Sequence, residues 1–162
     1  MTYFSKLAAS LIVLSTLSLV CATPIQAQVQ TSKVRQSIPD ENTLARLVWS
    51  TMVALDNANR TENYSVLYRL GTPEFQQRNT PQQLAQSFTA LRQNRVDVGR
   101  AILTTPSYYI PPQTLRDGSL RLRGGFDYRP NSIRFDLVFK NIDGGWSLSA
   151  ISVVEMDANA PK

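Results

Sequence analysis

The stretch Ser119–Met156 constrains this chain most, because it reads as three strands in succession. In Ser132–Lys140, Ile133, Phe135, Leu137 and Phe139 alternate with Arg134, Asp136, Val138 and Lys140. Successive side chains of a strand point to opposite faces, so this alternation describes a half-buried strand. In the preceding strand, Ser119–Tyr128, Leu120, Leu122 and Phe126 lie opposite Arg121, Arg123 and Asp127. In the following one, Trp146–Val154, the residues Trp146, Leu148, Ala150 and Val154 share a face. Ile151 and Val153 make the end of that strand apolar on its other face too, which predicts the deepest burial of the three. The connectors are short and carry Asp117-Gly118, Pro130-Asn131 and Asp143-Gly144-Gly145. Such turns join antiparallel neighbours, since a parallel pair needs a long crossover.

Upstream of the sheet the period changes to that of helices. Asp40 is placed to cap a helix with Glu41 in its first turn. Leu44, Leu47, Val48, Thr51, Met52 and Leu55 follow at helical spacing, widened by Trp49 and Val53, to about residues 57–59. Thr61 is placed to cap a second helix, Glu62–Leu70, ended by Gly71. Thr72-Pro73-Glu74-Phe75 reads as one helical turn. Thr80-Pro81 opens a third helix with Gln83 completing a capping box, and that helix is expected to run to about Asn94. Between it and the sheet, a first strand is expected within Ile102–Leu115, broken or at an edge because Pro111-Pro112 supplies no ladder donors. The fold class is therefore α+β, with N-terminal helices packed on a curved antiparallel sheet of about four strands.

The first 27 residues have the order of a signal peptide: Lys6, an apolar core from Leu7 to Val20, and Ile25-Gln26-Ala27 as a cleavage site. The core falls short of the ~20 apolar residues that a membrane span needs. Residues 28–38 then form a flexible arm, 39–156 the domain and 157–162 a loose tail. This address is periplasmic or secreted, with no membrane span in the mature chain. Two alternatives keep the protein on a membrane: an uncleaved signal, or lipidation of Cys21. The lipidation pattern fails at Val20 and Ser18, where a small residue and a leucine are wanted.

Cys21 is the only cysteine, and the chain has no histidine. Cleavage after Ala27 removes thiol and imidazole chemistry together, including the commonest general base. No cofactor motif and no metal-ligand spacing remain. The formal charge is +5, carried by thirteen arginines and four lysines. The arginines are scattered, and no nucleic-acid motif accompanies them.

The long first helix, the Asp117-Gly118 turn into Leu120–Gly124, Ile133–Phe139 and the Gly144-Gly145-Trp146-Ser147-Leu148 entry together resemble the NTF2-like (cystatin-like, cone-shaped) superfamily. The likeness covers roughly Asp40–Val154 and carries no catalytic signature. It implies a cone whose sheet wraps the helices around an interior lined by Trp49, Met52, Tyr64, Tyr68, Leu122, Phe135, Leu137 and Trp146. That interior is either filled core or a pocket for a hydrophobic small molecule. It also implies a sheet face that pairs subunits, here Arg121, Arg123, Arg134 and Asp136, giving a homodimer through the sheet. An isomerase- or dehydratase-like enzyme would need inward carboxylates, yet Asp127 and Asp136 share the arginine face, and Asp56 alone lies near the mouth. The reading is thus an exported, non-enzymatic NTF2-like binding or assembly module, with a small-molecule enzyme using the cavity as the alternative. N-terminal sequencing of the protein recovered from its own cell is expected to begin at Gln28. Recovery of Met1, or of a lipidated Cys21, would contradict the address.

Overall fold

A computed structural model describes residues 37–157. The segment expected to be a signal peptide, most of the expected arm and residues 158–162 lie outside the described residues. The order is α1 (Glu41–Thr61), α2 (Ser65–Arg69), α3 (Pro73–Arg78), α4 (Pro81–Ser87), α5 (Thr89–Gln93), a 3-10 segment (Val98–Leu103), then β1 (Ser107–Thr114), β2 (Leu120–Phe126), β3 (Asn131–Ile142) and β4 (Gly145–Asp157). The strands form one open antiparallel sheet in sequence order, β1-β2-β3-β4. The protein is α+β, helices first and sheet last, as the pattern of periods predicts. Among the described residues, no helix is long and apolar enough to cross a membrane.

Three helices, α1, α3 and α4, begin where a side chain satisfies one of the first backbone amides. Asp40 accepts from Thr43 N at 3.0 Å, Thr72 from Phe75 N at 3.1 Å, and Thr80 from Gln83 N at 3.2 Å. Gln83 closes the capping box by accepting from Thr80 N. Two helix boundaries differ from expectation. Thr61 does not open the second helix, because α1 runs through it and its hydroxyl donates to Asn57 O. Glu62 takes the left-handed conformation that ends α1, and Asn63 Oδ1 accepts from Ser65 N instead. The third helix is two short ones, since Phe88 at φ −104° and ψ 17° breaks the helical run while its ring stacks on Tyr64.

The 3-10 segment takes Ala101-Ile102-Leu103 out of the first strand, which begins only at Ser107. Asp97 caps the segment through Arg100 N, and Asp56 of α1 accepts from Gly99 N at 3.1 Å. Trp49 Nε1 donates to Thr104 O, tying the segment's exit to the same helix. As expected, β1 is an edge strand with irregular pairing: its register shifts on both sides of Ile110, the second shift spanning Pro111-Pro112.

One core joins the helices to the inner sheet face. Leu44, Val48, Met52 and Leu55 of α1 are buried with Leu120, Leu122, Phe126, Ile133, Phe135, Leu137 and Phe139. Val53 points away and is partly exposed, so it does not widen the buried face of α1.

The last strand departs from simple alternation. Val138 pairs with Ala150 but Phe139 pairs with Leu148, so Ser149 is an extra residue. A bulge of this kind reverses the facing of everything beyond it. Leu148 therefore faces the core before the bulge and Val153 after it, at 2% and 4% exposure, whereas Val154 is 46% exposed. The expected common face of Leu148, Ala150 and Val154 does not form. Nor is β4 the most buried strand, because it is an edge. Its edge is instead covered by the junction of α2 and α3: Thr72 N donates to Leu148 O, and Leu148 N to Leu70 O.

Phe135→Ala is expected to cost about 3–5 kcal/mol, measured by chemical denaturation. Val153→Ala should cost on the order of 1–3 kcal/mol while Val154→Ala stays nearly silent. The reverse order would remove the bulge from the description.

Candidate functional site

The outer face of the sheet carries the four residues expected at an interface, and the structure brings them together. Register places Arg123 beside Asp136 and Gly125 beside Arg134, with Arg134 in turn beside Val154. Arg121 reaches diagonally to Asp136, donating from Nε at 2.9 Å and from Nη2 at 2.5 Å. Arg123 Nε stands 3.4 Å from the same carboxylate. One acid thus holds two arginines, and its hydrogen bonds push the Arg121 guanidinium's pKa further up. This two-pronged geometry has the specificity of an arginine–carboxylate fork. Asp136 is consequently engaged within its own chain.

The second half of the face is built on glycine. A Cβ on Gly125 would run into the Tyr109 hydroxyl and lie 2.5 Å from Ile133 O. Only hydrogen on that carbon lets the Tyr109 ring cross β2. Arg134 lies over the Tyr109 ring, 4.8 Å from its centroid, and the Tyr109 hydroxyl donates to Asp127 at 3.1 Å. Burial first, and then this bond to a carboxylate, raises the hydroxyl's pKa. On the opposite face, a Cβ on Gly124 would meet Ser107 O and sit 2.9 Å from the Phe135 ring. Phe135 uses the room to pack at 5.8 Å from Phe126 and edge-on to Tyr108 at 6.3 Å.

Between these groups lies an open depression of about 390 Å³, bordered among others by Tyr109, Ile110, Arg123, Arg134, Ser152 and Val154. Its size lies within the range of small-ligand sites, ~300–1,000 Å³, but it is open to solvent. Tyr109, Ile110, Ser152 and Val154 were not expected at this surface. Gly124-Gly125 in mid-strand was the available signal for Tyr109. Val154 was hidden by the bulge, which alternation does not reveal.

The expected interior residues lie elsewhere. Met52, Leu122 and Leu137 have no exposure, and Tyr64 and Phe135 have at most 4%. Trp49, Tyr68 and Trp146 are half-buried against the same core. Of these eight, Phe135 alone borders a described concavity, the sheet-face depression. Asp56 is spent on the Gly99 amide and does not reach inward as a base. Among the described residues, no group of three or more histidine, cysteine, aspartate or glutamate side chains is placed to hold a metal ion. Comparison with family models, with curated proteins and with solved structures finds no match to the chain.

Tyr108 is the polar exception beside the core. Its hydroxyl is buried without a hydrogen-bond partner. Burial, helped by the charge of Glu41, pushes its pKa up to about 12. Removing an unsatisfied buried hydroxyl is neutral or favourable, so Tyr108→Phe is expected to keep or raise stability by up to about 1 kcal/mol. The pH dependence follows from the raised value. The contribution is fully present below the ordinary tyrosine pKa near 10 and is lost as pH rises towards 12. Denaturation curves across that window should show wild type losing more stability than Tyr108→Phe. Equal losses would place the hydroxyl in water.

Proposed function

We propose that this protein is an exported, non-enzymatic NTF2-like module for binding or assembly, acting through the outer face of its sheet. The observation that carries the reading is the contrast between the two faces. The inner face belongs to a filled core, where the would-be pocket residues Met52, Leu122 and Leu137 have no exposure. The outer face presents an ordered concave surface, with Arg121 and Arg123 fixed on Asp136 and Arg134 laid over Tyr109. A surface already held in place loses little side-chain entropy on docking, which favours association. A periplasmic or secreted setting rests on the order of charge, apolar core and small residues in Met1–Ala27.

The form of assembly proposed is a homodimer through the sheet. A two-fold contact is self-complementary. Since Asp136 is satisfied in its own chain, Tyr109, Ile110 and Val154 supply the contact, and the arginines form its polar rim. A hydrophobic small molecule in the interior, or isomerase-like chemistry there, would require the packed core to open.

Analytical ultracentrifugation tests the dimer. Wild type is expected to associate in the micromolar range, and Val154→Glu to weaken association at least about tenfold, a loss of ~1.4 kcal/mol. A wild-type chain that stays monomeric overturns the sheet dimer, and a dimer indifferent to Val154→Glu moves the contact to another surface.

A further inference from the structure

A second concavity, of about 430 Å³, lies between the end of α1 and α5 with the residues that follow it. Arg92 borders it and is held rigidly. Its Nη1 donates to the Tyr64 hydroxyl and to Ala85 O, both at 2.6 Å, and the Tyr64 hydroxyl passes the chain on to Asn59 Oδ1. The Arg92 guanidinium lies over the Tyr64 ring, 5.7 Å from its centroid, and that ring stacks on Phe88. Every acceptor that Arg92 meets is neutral, and among the described residues no carboxylate lies within 4.0 Å of it. A half-buried guanidinium without a counter-charge is unusual, since charges removed from water are normally paired.

Further observations bear on the same place. Asn59 Nδ2 is buried and has no hydrogen-bond partner. Its amide is oriented by the Tyr64 bond, so the nitrogen is the end left over. Arg60 and Arg95 border the concavity too, and Arg60 is extended into solvent, 3.9 Å from Asp56. Two acids, Asp56 and Asp97, also line the concavity and accept from the amides of Gly99 and Arg100; Arg60, Arg92 and Arg95 outnumber them, so the lining stays cationic. Leu91 and Val96 add an apolar floor.

We propose that this concavity is a binding site for a small organic acid, its oxyanion received by Arg92 and the Asn59 amide and flanked by Arg60 and Arg95. The apolar part of the ligand would rest on Leu91 and Val96. The site is separate from the sheet-face surface and does not depend on it. A planar carboxylate and a tetrahedral phosphate can each offer two anionic oxygens to a guanidinium, so the test distinguishes them.

The full chain is titrated with sodium benzoate and, separately, with inorganic phosphate at constant ionic strength. The readout is the arginine Nε–Hε NMR signals. Saturable shifts of Arg92 with benzoate at or below about 10 mM are expected, with phosphate weaker because it cannot use the apolar floor. Phosphate binding at Arg92 without benzoate binding would keep the oxyanion site and assign it to phosphoryl ligands. Arg95→Gln, a surface change that spares the Tyr64 network, should weaken binding about tenfold. Arg116→Gln, on the β1–β2 turn, should leave it unchanged. No saturable Arg92 shift with either anion overturns the site. Equal weakening by Arg116→Gln also overturns it, since the effect would then be general charge.

Discussion

The structure depends on one close approach, the passage of side chains across Gly124 and Gly125 near the end of β2. Adjacent residues of a strand face opposite sides, so two glycines in a row open both sides of the sheet at one level. On the inside the opening admits the Phe135 ring, which gathers Phe126 and Tyr108. On the outside it admits Tyr109, which carries Arg134 on its face and Asp127 on its hydroxyl. The core and the candidate surface are therefore two sides of one constraint. Aromatic rings laid over strand glycines recover the packing that glycine itself cannot supply.

Much of the fold was legible because it is written in period and punctuation. Ile133, Phe135, Leu137 and Phe139 face the core as their alternation requires, and Asp143-Gly144 makes the expected turn with both residues at positive φ. Thr80, Pro81 and Gln83 cap a helix as their order predicts. What was not legible came from tertiary context. Nothing in Trp146–Val154 marks Ser149 as the extra residue, since the bulge is fixed by pairing with Val138 and Phe139. Thr61 and Asn63 are both good caps, and only the left-handed turn at Glu62 selects between them. Ala101-Ile102-Leu103 has strand composition, but the carboxylates of Asp56 and Asp97 draw the segment's amides into a 3-10 turn.

The candidate surface was legible in charge and not in shape. Arg121, Arg123, Arg134 and Asp136 fall together because strands alternate. Which arginine pairs with Asp136 depends on diagonal reach, and Arg121, not its direct neighbour Arg123, makes the fork. That pairing matters to function. An acid already holding two arginines cannot serve as the complementary charge for a second copy, so the weight of any sheet contact shifts to Tyr109, Ile110 and Val154. Of the interior residues, Met52, Tyr64, Leu122, Phe135 and Leu137 are buried while Trp49, Tyr68 and Trp146 are half-buried against the core, and the packing of Met52, Leu122 and Leu137 follows from ordinary core density.

The stability of Gly125→Ala, measured by chemical denaturation, tests the central constraint most directly because two arguments give it opposite signs. At an ordinary strand position, replacing glycine by alanine stabilises by roughly 0.5–1 kcal/mol through reduced backbone entropy. Here the added methyl would meet the Tyr109 hydroxyl and the Ile133 carbonyl together. The account predicts a loss of about 1–3 kcal/mol, as for overpacking, with the Tyr109 ring displaced from Arg134. A Gly125→Ala protein more stable than wild type would contradict it.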